Sequence, residues 1–204
     1  MNTVLHIPLN TDAEQLKRLQ DLQKGFAQVC NALAPLVQQT RIWNRVTLHH
    51  LAYRQLRQQF PNMGSQMVCN AIYAVSRTSR LVFQSPGSPF YLPLLGDKPL
   101  PQLRFTDSSP VYFDRHTLSV KAGQLSMFTL DGRMRFQLAL GAKDEAAFHA
   151  LKLREIVLSR HADGLYKLAF FLEDLGKSAE EAAPAPLAAV EVEIPDYVMV
   201  EEAL

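Results

Sequence analysis

Near Phe83 the chain changes its periodicity, and that change limits the possible folds more than any other feature. Before it, apolar residues recur at spacings of three and four. After it, Pro86, Gly87, Pro89, Pro93, Gly96, Pro99 and Pro101 break any helical period, and short alternating runs follow. A 3.6-residue period giving way to a 2-residue period predicts an α+β chain whose helices and strands are segregated along the sequence.

The helical stretch resolves into three segments. Thr11-Asp12-Ala13-Glu14 has capping-box spacing, and Leu16, Leu19, Gln23, Phe26, Val29, Cys30, Leu33 and Val37 form one stripe, so the first helix is long and Pro35 is expected to kink or end it. Thr47 is expected to cap a second helix that Pro61 stops. At 100° per residue its Leu48, Leu51, Ala52, Leu56 and Phe60 share one arc, while His50, Tyr53, Arg54 and Arg57 share the opposite one. The third helix is expected over 65–83, with Met67, Val68, Ala71, Ile72, Val75 and Val82 inward and Gln66, Asn70, Tyr73, Arg77 and Arg80 together on the other face.

The strand signals begin earlier, with a short alternating run over 4–9 ended near Pro8. They resume over 103–106, 111–113, 117–120, 125–130 and 133–140, with Asp131-Gly132 as a hairpin turn, and a last hairpin joins 153–160 to 165–173 through Ala162-Asp163-Gly164. Six or seven short antiparallel strands predict a small OB-like β-barrel that the leading strand joins, with the helical bundle inserted into it. The expected domains are therefore 1–10 with 84–176 as the barrel, 11–83 as the helical insertion, and 177–204 as an acidic tail. That tail, rich in Ala, Glu and Pro, is expected to be a flexible linker with one strand over 189–194.

Charge is distributed unevenly. Residues 1–173 carry 20 of the 21 Lys and Arg against 12 of the 20 Asp and Glu, a net of +8, whereas the last 31 residues hold Lys177 against eight acids, a net of −7. No acid occurs between Asp21 and Asp97, yet Arg41, Arg45, Arg54, Arg57, Arg77 and Arg80 all lie there. An ordinary solvated helix face carries both signs of charge; this one, with Tyr53, Tyr73, Gln66 and Asn70 among the arginines, has the composition of a phosphate-neutralising, base-stacking surface. Trp43, between Arg41 and Arg45, is read either as a stacking platform or as packing between helices. Arg133 and Arg135 alternate with Met134 and Phe136, so both point away from the apolar face, and Arg104, Arg115, His116 and Lys121 add to a surface suited to gripping a backbone. The tail is expected to be solvated or to compete for this basic surface.

Catalytic signals are missing. The six histidines form no H-x-x-x-H or H-E-x-x-H pair, no Gly-rich phosphate loop precedes a helix, and the two cysteines, Cys30 and Cys69, lack C-x-x-C pairing. Asp114-Arg115-His116 is the one cluster able in principle to do acid/base work, and such a cluster at a strand end is more often a turn with local ion pairing. No enzymatic activity, no metal and no cofactor are expected. With no apolar run near the roughly 20 residues of a membrane span and no signal-peptide order at the start, a cytoplasmic protein without membrane partners is expected.

A short leading strand, an Arg-rich helical insertion ending in Pro61-Asn62-Met63-Gly64-Ser65-Gln66, and a β-region carrying Val111-Tyr112-Phe113-Asp114-Arg115-His116-Thr117-Leu118-Ser119-Val120 resemble the N-terminal half of TnpB-like transposon proteins and their type V CRISPR relatives. The likeness continues through 125–141 and the hairpin 155–171, and covers roughly residues 1–173. It implies a wedge barrel with inserted recognition helices that holds a structured guide RNA and the guide–target duplex. In that family a later RuvC-like domain cuts DNA with three acids. Residues 186–194 occupy the place of its first strand, but no Gly-x-Asp pattern follows and the four-cysteine zinc motif has no counterpart, so cutting is not expected. The resemblance implies a non-catalytic half that binds RNA, or DNA, alone, as a homo-oligomer, or with a separately encoded RuvC-like nuclease. Phosphates would be neutralised by the helix arginines, bases stacked on Tyr53, Tyr73 or Trp43, and the backbone gripped by Arg104, Arg115, Arg133 and Arg135. A different reading is a protein-interaction subunit that completes a split nuclease or docks on a transposase through the acidic tail.

Overall fold

The computed structural model describes residues 2–173 and 192–202. In chain order the elements are β1 (Asn2–Pro8), α1 (Ala13–Thr40), α2 (Arg45–Gln59), α3 (Ser65–Gln84), α4 (Leu92–Leu95), β2 (Gln102–Phe105), β3 (Val111–Phe113), β4 (Leu118–Lys121), β5 (Gln124–Thr129), β6 (Gly132–Gln137), α5 (Ala142–Ala150), β7 (Lys152–Arg160), β8 (Tyr166–Glu173) and β9 (Val198–Glu201). The α+β expectation describes this order. The chain divides into two compact units, whose described parts are residues 2–23 with 110–173, and 24–109 with 192–202; the boundary falls inside α1.

The first unit holds two antiparallel sheets, one of order β1-β8-β7-β3 and a meander β4-β5-β6. The expected closed barrel does not form among the described residues, because no ladder joins these sheets. Between β6 and β7 the chain turns through α5 instead of pairing, and between β3 and β4 it turns at Asp114. In β8, Tyr166, Leu168, Phe170 and Leu172 are buried and the residues between them are half-buried, the alternation of a strand with one face on a core.

Helix α1 starts at a capping box one residue later than Thr11…Glu14. The Asp12 N–H donates to Gln15 Oε1 at 3.0 Å and the Gln15 N–H donates to Asp12 Oδ1 at 2.7 Å. Within this unit Leu19 and Leu22 are buried, the buried Tyr166 hydroxyl donates to Gln23 Oε1 at 2.8 Å, and Arg18 Nη2 donates to Thr129 Oγ1 at 2.7 Å. Burial pushes the Tyr166 phenol above its ordinary pKa, with the nearby Arg160 guanidinium pulling weakly the other way.

The β5–β6 turn also differs by one residue from the expectation. Thr129 pairs with Gly132, so Leu130 and Asp131 form the loop, and Gly132 takes a positive φ (+95°) as the chain enters β6, which explains why a glycine follows the aspartate. Between β4 and β5, Ala122 and Gly123 both have positive φ, 48° and 73°, the conformation of a two-residue type I′ hairpin turn.

In the second unit, α1 runs through Pro35 to Thr40 rather than ending at the proline. Phe26, Val29, Cys30, Leu33 and Val37 from α1 meet Leu48, Ala52 and Leu56 from α2 and the long inner face of α3 in one core. Helix α2 is capped by Asn44, not Thr47: the Asn44 Oδ1 accepts from the Val46 and Thr47 N–H groups at 3.0 and 3.1 Å, which moves the start back to Arg45. An Asn44→Ala change is expected to cost about 1 kcal/mol of stability, readable as a lower urea midpoint with unchanged slope.

Strands β2 and β9 form a two-stranded antiparallel ribbon. The other edge of β2 is closed by Asn31, whose Nδ2 donates to Phe105 O at 2.8 Å while its Oδ1 accepts from the Phe105 N–H at 2.7 Å, a side-chain stand-in for a strand. Of the strand expected over 189–194, residues 189–191 and the preceding linker region lie outside the described residues; 192–194 are not in a strand, and the strand found is β9.

Candidate nucleic-acid interface

The sequence-derived residues fall into two sets, one in each unit. Arg41, Trp43, Arg45, Tyr53, Arg54, Arg57, Gln66, Asn70, Tyr73, Arg77, Arg80 and Arg104 belong to the second unit, and Arg115, Arg133 and Arg135 to the first.

On the second unit the α2–α3 pair carries the densest group. The Arg45 guanidinium lies over the Tyr73 ring, 5.2 Å from its centroid, linking the start of α2 to the middle of α3. Tyr53 stacks on His49 with centroids 4.6 Å apart and planes at 18°, and His50 stands edge-on to His49 at 6.0 Å. Arg54, Arg77 and Arg80 are exposed. The helices of this unit beyond Asp21 contain no carboxylate, so their guanidinium groups have no acid on their own elements to neutralise them.

Five residues of this set have partners within the unit. Asn70 is buried, not outward, with Nδ2 3.8 Å from Met67 Sδ. The core covers more than half of the circumference of α3, reaching Ser76, Thr78 and Ser79, and so engulfs the edge of the arc read as solvent-facing. Trp43 is packing: its ring lies 5.6 Å from that of Phe83, its Nε1–H donates to Gln84 Oε1 at 3.3 Å, and its carbonyl accepts from Ser76 Oγ at 2.6 Å. Arg57 donates through Nη1 to Met63 O at 2.6 Å and so secures the α2–α3 connection, and Arg41 donates through Nη2 to Lys98 O at 2.6 Å. Arg104 stands on the outer side of β2 and pairs with Glu201 at 3.3 Å.

On the first unit, Arg133 lies across the open face of the meander, with Nε donating to Ser126 Oγ at 2.9 Å and Nη2 to Ser126 O at 3.0 Å. Register places Arg135 beside Ser126 and Phe128 beside Arg133, so cations, a hydroxyl and a half-exposed ring share one side of the sheet. Phe128 and His49 were not among the residues read from sequence, although strand alternation with Gln124 and Ser126 marks the first and adjacency to His50 the second. Arg115 is exposed and sits in a turn that Asp114 organises: the Asp114 Oδ1 accepts from the His116 and Thr117 N–H groups, both at 3.1 Å, which occupies the carboxylate of the one acid/base candidate.

No protein-family model matches the chain, and no curated protein matches it in sequence. The surface chemistry therefore carries the functional argument.

Among the described residues no group of three or more His, Cys, Asp or Glu side chains is placed to hold a metal ion, and no helix is long and apolar enough to cross a membrane. The Cys30 thiol is buried and pushed well above its ordinary pKa by desolvation, which leaves it protonated and unreactive. Among the described residues, two hollows have no arginine in their lining: a groove of about 230 Å³ between α1 and α2 lined by Leu36, Gln39, Leu51, Gln55 and Gln59, and a cleft of about 470 Å³ beside α5 lined by Lys121, Glu145, Phe148 and His149.

Proposed function

We propose that this chain is a non-catalytic nucleic-acid-binding protein that holds structured, guide-like RNA or an RNA–DNA duplex, as the N-terminal half of TnpB-like proteins does. In this reading the sheets of the first unit correspond to the wedge, an OB-like barrel left open, and the helices of the second to the recognition insertion, working in the cytoplasm. One observation carries the proposal: a 75-residue interval without a single carboxylate, from Leu22 to Gly96, folds into helices whose outer side presents Arg45 over Tyr73, the Tyr53–His49 stack and the exposed Arg54, Arg77 and Arg80. Guanidinium groups release counterions from phosphates, and exposed rings accept unpaired bases on their faces.

The test is fluorescence anisotropy with a labelled RNA hairpin over about 50 to 300 mM salt, where four to six phosphate contacts give a log–log slope of roughly −3 to −5. A flat salt dependence rejects the mechanism.

The protein-interaction reading draws on the groove between α1 and α2, where Leu51 is 51% exposed beside three glutamines. It predicts that a separately encoded nuclease or transposase, or a second copy, co-purifies without nucleic acid and is lost on Leu51→Glu.

A further inference from the structure

We propose that the C-terminal segment 192–202 is an acidic strap that competes with nucleic acid for the second unit; this rests on the nucleic-acid reading above. Residues 24–109 hold nine Lys and Arg against Asp97 and Asp107, a net of +7. Onto this surface the strap brings Glu193, Asp196, Glu201 and Glu202 and no Lys or Arg. It therefore cancels more than half of the unit's net charge.

The attachment is specific in register and slight in burial. Phe105 pairs with Val198, Arg104 with Met199, Leu103 with Val200 and Gln102 with Glu201. Outside the ladder, the Thr106 N–H donates to Tyr197 O at 3.0 Å and the Val192 N–H donates to Gly87 O at 3.1 Å. This register puts the Glu201 carboxylate on Arg104, a residue of the candidate interface, at 3.3 Å. Yet the strand is four residues long, only Val198 of its side chains is buried, and Met199 is 44% exposed. A two-stranded ribbon of this length is marginal by itself.

The receiving strand does not depend on the strap. Asn31 holds the N–H and C=O of Phe105 from the opposite edge, and Leu103 and Phe105 are buried in the unit. Departure of β9 thus frees Arg104 and removes four negative charges while β2 keeps its anchorage. A phosphate backbone approaching Arg104 competes directly with Glu201, and the other three acids oppose its approach through the field they add.

The experiment compares the full chain with a variant carrying Glu193→Gln, Asp196→Asn, Glu201→Gln and Glu202→Gln, which keeps side-chain size and the backbone ladder. Binding of a labelled RNA hairpin is measured by anisotropy, with thermal melts to confirm equal folding, and Glu201→Gln alone serves as a second variant should the fourfold one be unstable. The strap predicts that the amide variant binds about three- to tenfold tighter at ~50 mM salt and that the difference closes at ~500 mM, as charges separated by more than a few ångströms are screened. Equal affinity of parent and variant at low salt overturns the strap and leaves nucleic-acid binding standing. Absence of binding by both overturns the two together.

Discussion

Replacing Arg54 and Arg80 together by glutamate is expected to weaken binding of the RNA hairpin by about ten- to a hundredfold at ~100 mM salt, and to lower the salt slope by about two. These two positions are chosen because both are exposed, one on α2 and one on α3, and neither serves the local architecture as Arg57 and Arg41 do. Each reversal removes a phosphate contact and adds a repulsion, whereas the core beneath, formed by Leu48, Leu56, Ile72 and Val75, is untouched. Thermal melts within a degree or two of the parent, together with lost binding, meet the expectation. Unchanged affinity in a folded variant rejects the α2–α3 surface as the interface, whatever the remaining arginines do.

The largest stability effect is expected at Phe83. Its side chain is fully buried near the end of α3 and supports the Trp43 ring at 5.6 Å, so Phe83→Ala removes both a large apolar surface and the floor beneath the indole. A loss of about 3 to 5 kcal/mol follows from cavity formation at such a site, a large share of the roughly 5 to 15 kcal/mol typical of a folded domain. Trp43 is the chain's one tryptophan, so its emission reports the site directly: a red shift at low denaturant, ahead of global unfolding, is the expected signature. Leu51→Ala, at a position 51% exposed, is the contrasting change and should fall within about 0.5 kcal/mol of the parent.

What could be read from the residues followed how strongly each element is amphipathic. Helix α3 and the β7–β8 hairpin bury long periodic faces, and their limits agree with the pattern to within a residue. Helix α5 buries none of its side chains and so offers no apolar stripe to detect. Strand β9 is four residues in an acidic stretch, where Val198 and Val200 alternate too briefly to stand out. Cap positions shifted because two spacings competed: Asp12…Gln15 satisfies the box as well as Thr11…Glu14, and Asn44 precedes Thr47 with equal chemistry. Barrel closure was illegible in principle, since alternation fixes which side chains face inward and leaves open which strands pair across a gap. At the interface, composition located the arginines, but their partners depend on tertiary neighbours. Arg57 found a carbonyl six residues away and Arg104 found a carboxylate 97 residues away.

The pairing of β1 with β8 has a consequence for how the chain is made. Its partners, Asn2 with Glu173 through Pro8 with Lys167, are far apart along the chain, so β1 waits for the intervening helices and strands to be made before its ladder can form. Until then it is an open template of seven residues, broken only at its end by Pro8, which has no N–H to donate. Slow translation or truncation before residue 166 would leave that template unfilled, which makes emergence of β8 the step that commits the first unit to its native sheet.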